Sequence, residues 1–145
     1  MSGAISCVKS PLPEKLYGVL KVVVQIILIG LAGSIGAAAR YSLGRLVAKR
    51  MRSHVPLGTV LINVSGSFLI GLLFVAALRH RISSTLQTTL ATGFLGGYTT
   101  FSTMSWEGLQ LIRKGNARAS FAYLGSTIAL GLLAVIIGFA LGWVI

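Results

Sequence analysis

Acidic side chains are nearly absent from this chain of 145 residues, which carries 13 Lys and Arg but only two Asp and Glu. One of the two, Glu14, lies near the N-terminus, so Glu107 is the only carboxylate in the rest of the chain. Membrane pathways for cations or protons normally use several carboxylates. The shortage of acids therefore argues against such a pathway, and hydrogen-bond donors without carboxylates suit an anion.

Cysteine and histidine are also scarce. The one cysteine, Cys7, lies near the N-terminus, so neither a disulfide framework nor a thiolate metal site is available. His54 and His80 both fall between apolar stretches, and no combination of histidine, acid and nucleophile is recognisable. We therefore expect that the chain is not an enzyme.

Apolar residues, in contrast, are abundant. Hydrophobic residues make up 54% of the chain, charged residues make up 10%, and the mean hydropathy is +0.86. Four apolar stretches, at 19–44, 57–78, 85–112 and 119–145, each reach the roughly 20 residues that a membrane-spanning helix needs. The first is too long for a removable signal peptide. These patterns predict an all-α membrane protein with a polar N-terminal tail, 1–18, and a four-helix transmembrane domain, 19–145.

The third apolar stretch has an unusual composition. Residues 91–105 contain three glycines and six Thr or Ser residues among apolar neighbours. A backbone that leaves its helix at membrane depth is tolerated only where it is buried in protein or lines a wet cavity. Segments of this kind hold ion sites in channels and transporters. We therefore predict that the third helix is broken and contributes to an ion pathway.

The basic residues between the spans give little preference for one orientation. They divide as Lys9, Lys15, Lys21, Arg79 and Arg81 on one side and Arg45, Lys49, Arg50, Arg52, Arg113, Lys114 and Arg118 on the other. A chain with one fixed orientation usually has a clear cytoplasmic excess, so dual topology is expected. The net charge is +11, but we find no polar domain in the sequence that could carry it to a nucleic acid. We therefore expect the basic residues to contact lipid head groups and not nucleic acid.

Small residues at helical spacing favour close packing of helices. Pairs such as Gly30 with Ser34 and Gly93 with Gly97 form faces that let two backbones approach in lipid. Glycine is also common in membrane helices that do not pack closely against another helix. Because four helices are too few to enclose a pathway comfortably, we interpret the 18 glycines as evidence for an oligomer.

Several polar residues at membrane depth allow two interpretations each. Asn63 either takes part in a pathway or makes a hydrogen bond between helices. The hydroxyls of Ser126 and Thr127 either line the pathway or bond back to the preceding turn of their own helix. Arg40 either faces the pathway or extends to the membrane interface.

Three motifs, in order along the chain, resemble those of the small bacterial Fluc/CrcB fluoride channels. They are GSIGAAARY at 33–41, GTVLINVSGSFLIG at 58–71 and GFLGGYTTFSTMSWE at 93–107. The resemblance covers nearly all of residues 26–143. It implies an antiparallel, dual-topology homodimer in the bacterial cytoplasmic membrane, with two pores that passively export fluoride and a central sodium ion.

The resemblance also implies roles for individual residues. Asn63 would offer its amide N–H to fluoride, Phe101 the positive edge of its ring, and Ser102 a neighbouring hydroxyl. The carbonyls of Gly96 and Thr99 would bind the sodium ion, a hard cation that carbonyl oxygen suits. The whole expected fluoride pathway comprises Arg40, Asn63, Phe101, Ser102, Met104, Tyr123 and Thr127.

Two positions depart from the family pattern. Met104 stands where relatives usually have a second phenylalanine, so a flexible thioether replaces a rigid ring. Either the pore tolerates this side chain, or conduction and selectivity change. In many relatives the polar track of Tyr123 and Thr127 continues one turn further, where this chain has Gly131, so a shorter track is expected here.

One other class of protein is a serious alternative. Small proton-coupled multidrug transporters also have four helices and often dual topology. Their chemistry needs an acidic residue in the first helix, and residues 19–44 contain none. A scaffold subunit without transport activity would leave the broken helix and Asn63 without a purpose.

Overall fold

The computed structural model describes residues 13–51 and 55–145, and every element in these ranges is helical. The α-helices are α1 (Glu14–Arg50), α2 (Leu57–Leu78), α3 (Ser84–Thr88), α4 (Gly96–Tyr98), α5 (Phe101–Arg113) and α6 (Ala117–Val144), with a π-helical segment, Thr89–Leu95, between α3 and α4. Cys7, Arg52, His54 and most of the predicted tail lie outside the described residues.

Helix α1 begins earlier than the first apolar stretch. It starts at Glu14, directly after Pro13 and within the predicted tail 1–18. An acidic residue in the first turn and the basic residues Lys49 and Arg50 in the last turn both interact favourably with the helix dipole. Its 37 residues extend about 55 Å at 1.5 Å per residue, well beyond the roughly 30 Å of a bilayer core.

Three of the helices in the described ranges are long and apolar enough to span a membrane, namely α1, α2 and α6. They correspond to three of the four predicted spans, and α2 has the predicted bounds. Their outer faces expose large apolar side chains, including Ile35 on α1 and Ile136 on α6, which suits a lipid environment. The chain is an integral membrane protein. The remaining apolar stretch, 85–112, is divided among shorter helical segments.

Close helix contacts depend on glycines that face backbone atoms. A Cβ atom at Gly138 of α6 would collide with the Phe68 carbonyl of α2. On the opposite side of the fold, a Cβ atom at Gly97 would collide with the Gly33 carbonyl of α1. These close approaches, predicted from the sequence for an oligomer, therefore occur within one chain. Gly30, by contrast, meets nothing within 4 Å.

Two clusters of buried side chains lie on either side of the polar region described below. One contains Ile62, Leu95 and Tyr98, which join α2 to the π-helical segment and α4. The other contains Met104, Leu111 and Tyr123, which join α5 to α6. The two clusters hold the ends of α4 and α5 against the spanning helices.

Candidate functional site

Two residues in extended conformation interrupt the segment between α4 and α5. Helix α4 ends at Tyr98, Thr99 has φ −77° and ψ 159°, and Thr100 has φ −151° and ψ 117°. The hydroxyl oxygen of Thr100 then accepts a hydrogen bond from the backbone N–H of Thr103 at 3.1 Å and so caps α5. We call residues Thr99 and Thr100 the Thr99–Thr100 break.

The side chain of Asn63, on α2, holds this break in place. Its Nδ2 donates to the Thr100 carbonyl at 3.0 Å, and its Oδ1 accepts from the Thr100 N–H at 2.9 Å. One amide thus satisfies both backbone groups of an extended residue. Nδ2 carries a second hydrogen, and the nearest acceptor to it is the Met104 sulfur at 4.0 Å, a weak acceptor. The helix-to-helix hydrogen bond considered for Asn63 is therefore present, and one N–H remains weakly engaged.

The hydrogen bonds at the break divert the donors that two backbone carbonyls would use in a continuous helix. The Thr100 N–H would donate to the Gly96 carbonyl, but it donates to Asn63. The Thr103 N–H would donate to the Thr99 carbonyl, but it donates to the Thr100 hydroxyl. Gly96 is exposed, and nothing lies within 4 Å of the position of a Cβ atom there. The two carbonyls predicted as sodium ligands are thus those that the break releases.

The candidate cation ligands at the break are backbone carbonyl oxygens. Among residues 13–51 and 55–145, no group of three or more His, Cys, Asp or Glu side chains comes together. A hard monovalent cation takes neutral oxygen ligands readily. The donor set at Gly96 and Thr99 therefore fits sodium.

Two open cavities meet at Asn63 and Met104. The first, of about 360 Å³, lies beside Gly96, the break and Phe101. The second, of about 380 Å³, runs between α2 and α6 past Thr127. Asn63 and Met104 line both cavities. Asn63, whose amide has the weakly engaged N–H, therefore borders both cavities.

The predicted residues of α5 differ in their positions. Phe101 lines the first cavity and leaves 75% of its surface exposed, whereas Met104 is 5% exposed and packs in the core. Ser102 lines neither cavity in the single chain, and its hydroxyl lies 3.3 Å from that of Thr100. The structure thus brings Phe101 and Met104 to Asn63 and leaves Ser102 on the exposed side of α5.

Tyr123 and Thr127 make strong hydrogen bonds of their own. The Tyr123 hydroxyl donates to Glu107 at 2.7 Å, and Thr59 of α2 is a second partner. The Thr127 hydroxyl lines the second cavity but donates to the Tyr123 carbonyl at 2.6 Å. Ser126 also bonds back to Tyr123. The back-bonding considered for these two hydroxyls is therefore present, and Thr127 can face an ion only with its oxygen or after its hydroxyl rotates.

Arg40 lies at a third opening, which is larger than the other two cavities. A cavity of about 800 Å³ is lined by Arg40 and Arg45 of α1 together with Thr100, Thr103 and Glu107. Its floor therefore reaches the Thr99–Thr100 break. Two guanidinium groups and one carboxylate leave this opening positive, which raises the local concentration of small anions.

Thr100 is the residue that the sequence analysis missed. It is the partner of Asn63, the cap of α5 and a lining residue of two cavities. A local signal for it exists, because threonine is a favoured residue directly before a helix. Its pairing with Asn63 joins positions 37 residues apart, and no local pattern predicts that contact.

Comparisons with known proteins place this sequence in a family. Residues 27–139 match the family described as CrcB-like protein, Camphor Resistance (CrcB). The chain is 42% identical over 119 residues to "Fluoride-specific ion channel FluC 1" of Listeria monocytogenes serotype 4b, covering 82% of this chain and 98% of that protein.

Two relatives from other bacteria match over similar lengths. "Fluoride-specific ion channel FluC" of Acidobacterium capsulatum is 41% identical over 115 residues, which are 79% of this chain and 92% of that protein. The protein of the same name from Thermus thermophilus is 38% identical over 118 residues, 81% of this chain and 94% of that protein. The chain therefore belongs to the CrcB-like protein family.

Proposed function

We propose that the chain is a fluoride-selective ion channel, and not an enzyme, that passively exports fluoride across the bacterial cytoplasmic (inner) membrane and reduces fluoride toxicity. The names of its relatives support fluoride as the ion. The observation in this chain that carries the proposal is the Asn63 amide, which has one weakly engaged N–H at the junction of two cavities. Among the described residues that line these two cavities, there is no carboxylate.

Neutral donors suit the passage of a small, strongly hydrated anion. Fluoride sheds water only where other donors replace it, and a fixed ammonium group would hold it too tightly to release. The Asn63 N–H supplies one donor, and the exposed Phe101 ring supplies the positive edge of its quadrupole. Met104, between the same cavities, supplies a polarizable apolar wall in place of a second ring.

The function further requires a second copy of the chain. The first cavity is open along Gly96 and Phe101, so a single chain does not enclose it. We propose an antiparallel, dual-topology homodimer in which the broken third helices of the two copies face each other. The Gly96 and Thr99 carbonyls of both copies would hold one sodium ion, which acts as a structural cation and joins the two chains. Ser102, on the exposed side of α5, would face a pore only in this assembly.

The proposal is tested by efflux from proteoliposomes. Vesicles that contain the purified protein and fluoride should lose fluoride when a potassium ionophore relieves the electrical imbalance. Vesicles loaded with chloride should retain it, because the pathway selects a small anion that forms strong hydrogen bonds. Equal efflux of the two anions would contradict the proposal.

The dual topology has a separate test. Reporters fused to the C-terminus should appear on both sides of the membrane in comparable numbers, because the basic residues of the loops and tail divide almost evenly. A reporter found on one side only would show that another signal orients the chain, and the proposed antiparallel dimer would fail.

A further inference from the structure

The Ser67 hydroxyl differs from four other hydroxyls of the spanning helices. Ser34, Ser65, Ser126 and Thr127 each donate to a carbonyl three or four residues earlier in their own helix. The Ser67 hydroxyl makes no hydrogen bond within the described residues, although Ser67 lies one turn after Asn63 on α2. It is half-buried, and its oxygen is not sealed inside the protein without a partner.

The unbonded hydroxyl of Ser67 belongs to a residue that borders the cavities. Ser67 lines both of the cavities that adjoin at Asn63 and Met104. Asn63 and Ser67 are separated by one helical turn, so their side chains lie on one face of α2. The face of α2 toward the cavities therefore offers two consecutive donors, an amide and a hydroxyl.

Gly131 of α6 lies directly opposite Ser67. A Cβ atom at Gly131 would lie 3.3 Å from the Ser67 hydroxyl oxygen. This contact is tight, so the Ser67 hydroxyl would have to shift by a few tenths of an ångström to admit a side chain at 131. The Ser67 hydroxyl thus occupies the place of a polar side chain that α6 does not provide at this level.

We infer that Ser67 is a fluoride-binding residue, which continues the polar pathway from α2 beyond Asn63 where α6 has only Gly131. The inference rests on the proposed function. The hydroxyl donates its hydrogen to fluoride as the ion passes between the two cavities. It is free to do so because, unlike the hydroxyl of Thr127, it does not donate to its own helix.

The test exchanges the hydroxyl between the two helices. Ser67→Ala should lower fluoride efflux about tenfold, the size expected for the loss of one hydrogen bond to a charged group. Gly131→Ser in the Ser67→Ala background should restore most of the efflux, because a serine at 131 then has both the space and a place beside the second cavity. Ser126→Ala, which removes an exposed, back-bonded hydroxyl of α6, is the matched control and should leave efflux unchanged.

The outcomes separate the inference from the proposed function. Fluoride efflux by the unaltered protein, loss in Ser67→Ala and recovery in the double variant support the inference. Wild-type efflux by Ser67→Ala would overturn it and leave the fluoride channel standing. Loss without recovery, or an aggregated Ser67→Ala protein, would also overturn it, because either result assigns Ser67 to packing. If the unaltered protein itself moves no fluoride, the proposed function fails.

Discussion

The Asn63 side chain at the Thr99–Thr100 break and the hydroxyls of Ser126 and Thr127 on α6 are used in opposite ways. At the break, Asn63 of α2 bonds to the backbone of Thr100 and so connects two separate segments. On α6, Ser126 and Thr127 bond to Tyr123, within their own helix. A polar side chain of the first kind determines the path of the backbone. A hydroxyl of the second kind only satisfies its own hydrogen-bonding capacity.

The difference explains why one asparagine has more influence than several hydroxyls. Without Asn63, both backbone groups of Thr100 would lose their partner in a buried position, and unsatisfied groups of this kind are costly. A helix that loses a back-bonded hydroxyl keeps all of its backbone hydrogen bonds. Substitutions at the break should therefore have large effects, and substitutions of back-bonded hydroxyls should have small ones.

The largest effect is expected for Asn63→Asp. The substitution keeps the size of the side chain but replaces the donating Nδ2 with an oxygen that faces the Thr100 carbonyl. It also adds a negative charge, and two like charges about 4 Å apart repel by about 4 kcal/mol near a protein surface. Fluoride efflux should become undetectable, while size-exclusion chromatography should still find the dimer.

Asn116→Asp is the matched control for this variant. Asn116 accepts from the Ala119 N–H at the start of α6, and aspartate fills that position equally well. Its efflux should equal that of the unaltered protein. Normal efflux by Asn63→Asp would mean that Asn63 serves only packing.

A loss of stability is expected where α2 and α6 touch. Gly138→Val places a side chain against the Phe68 carbonyl, so the two helices must separate. Overpacking of this kind costs about 1–3 kcal/mol. Thermal unfolding in detergent should therefore begin at a lower temperature. Gly125→Val should be nearly neutral, since nothing lies within 4 Å of that position. Equal stability of the two variants would refute the packing described for α2 and α6.

An effect of similar size is expected at Gly96, and it should depend on the cation. A side chain at 96 meets nothing in the single chain, so Gly96→Val acts only through the proposed sodium site and the partner copy. Sodium at about 100 times its dissociation constant would stabilise the unaltered dimer by about 2.7 kcal/mol. Replacing sodium with a large organic cation should destabilise the unaltered protein and Gly125→Val, but not Gly96→Val. A dimer that is indifferent to the cation would contradict the site.

The smallest effect is expected for Met104→Phe. The ring restores the side chain that relatives usually have between the two cavities, at the cost of some repacking because Met104 is 5% exposed. Fluoride efflux should remain at or above that of the unaltered protein. Loss of efflux would show that this pore has repacked around methionine.

The sequence predicts the apolar spans well because their signal is local. The second stretch, 57–78, has the bounds of α2, and the fourth, 119–145, differs from α6 by two residues or fewer at each end. The start of α1 at Glu14 could not be predicted from hydropathy, because polar residues next to Pro13 begin the helix before the apolar run.

The site is less predictable because its contacts are distant in sequence. The glycines and hydroxyls of residues 91–105 predict a break in this segment, and the extended residues Thr99 and Thr100 lie within it. The pairing of Asn63 with Thr100 depends on the register between α2 and α5, and the pairing of Ser67 with Gly131 depends on the register between α2 and α6. Hydrophobic periodicity specifies which face is buried, and it does not specify register between helices in lipid.

The central claim, a passive pathway for fluoride beside the Thr99–Thr100 break, is tested most directly by the reversal potential of the purified protein in a planar bilayer. With a tenfold fluoride gradient and equal chloride on both sides, the account predicts reversal at the fluoride equilibrium potential, about 59 mV for a single charge. The reversal potential should not move when a pH gradient is added. Reversal near zero, or a shift with the pH gradient, would contradict the account.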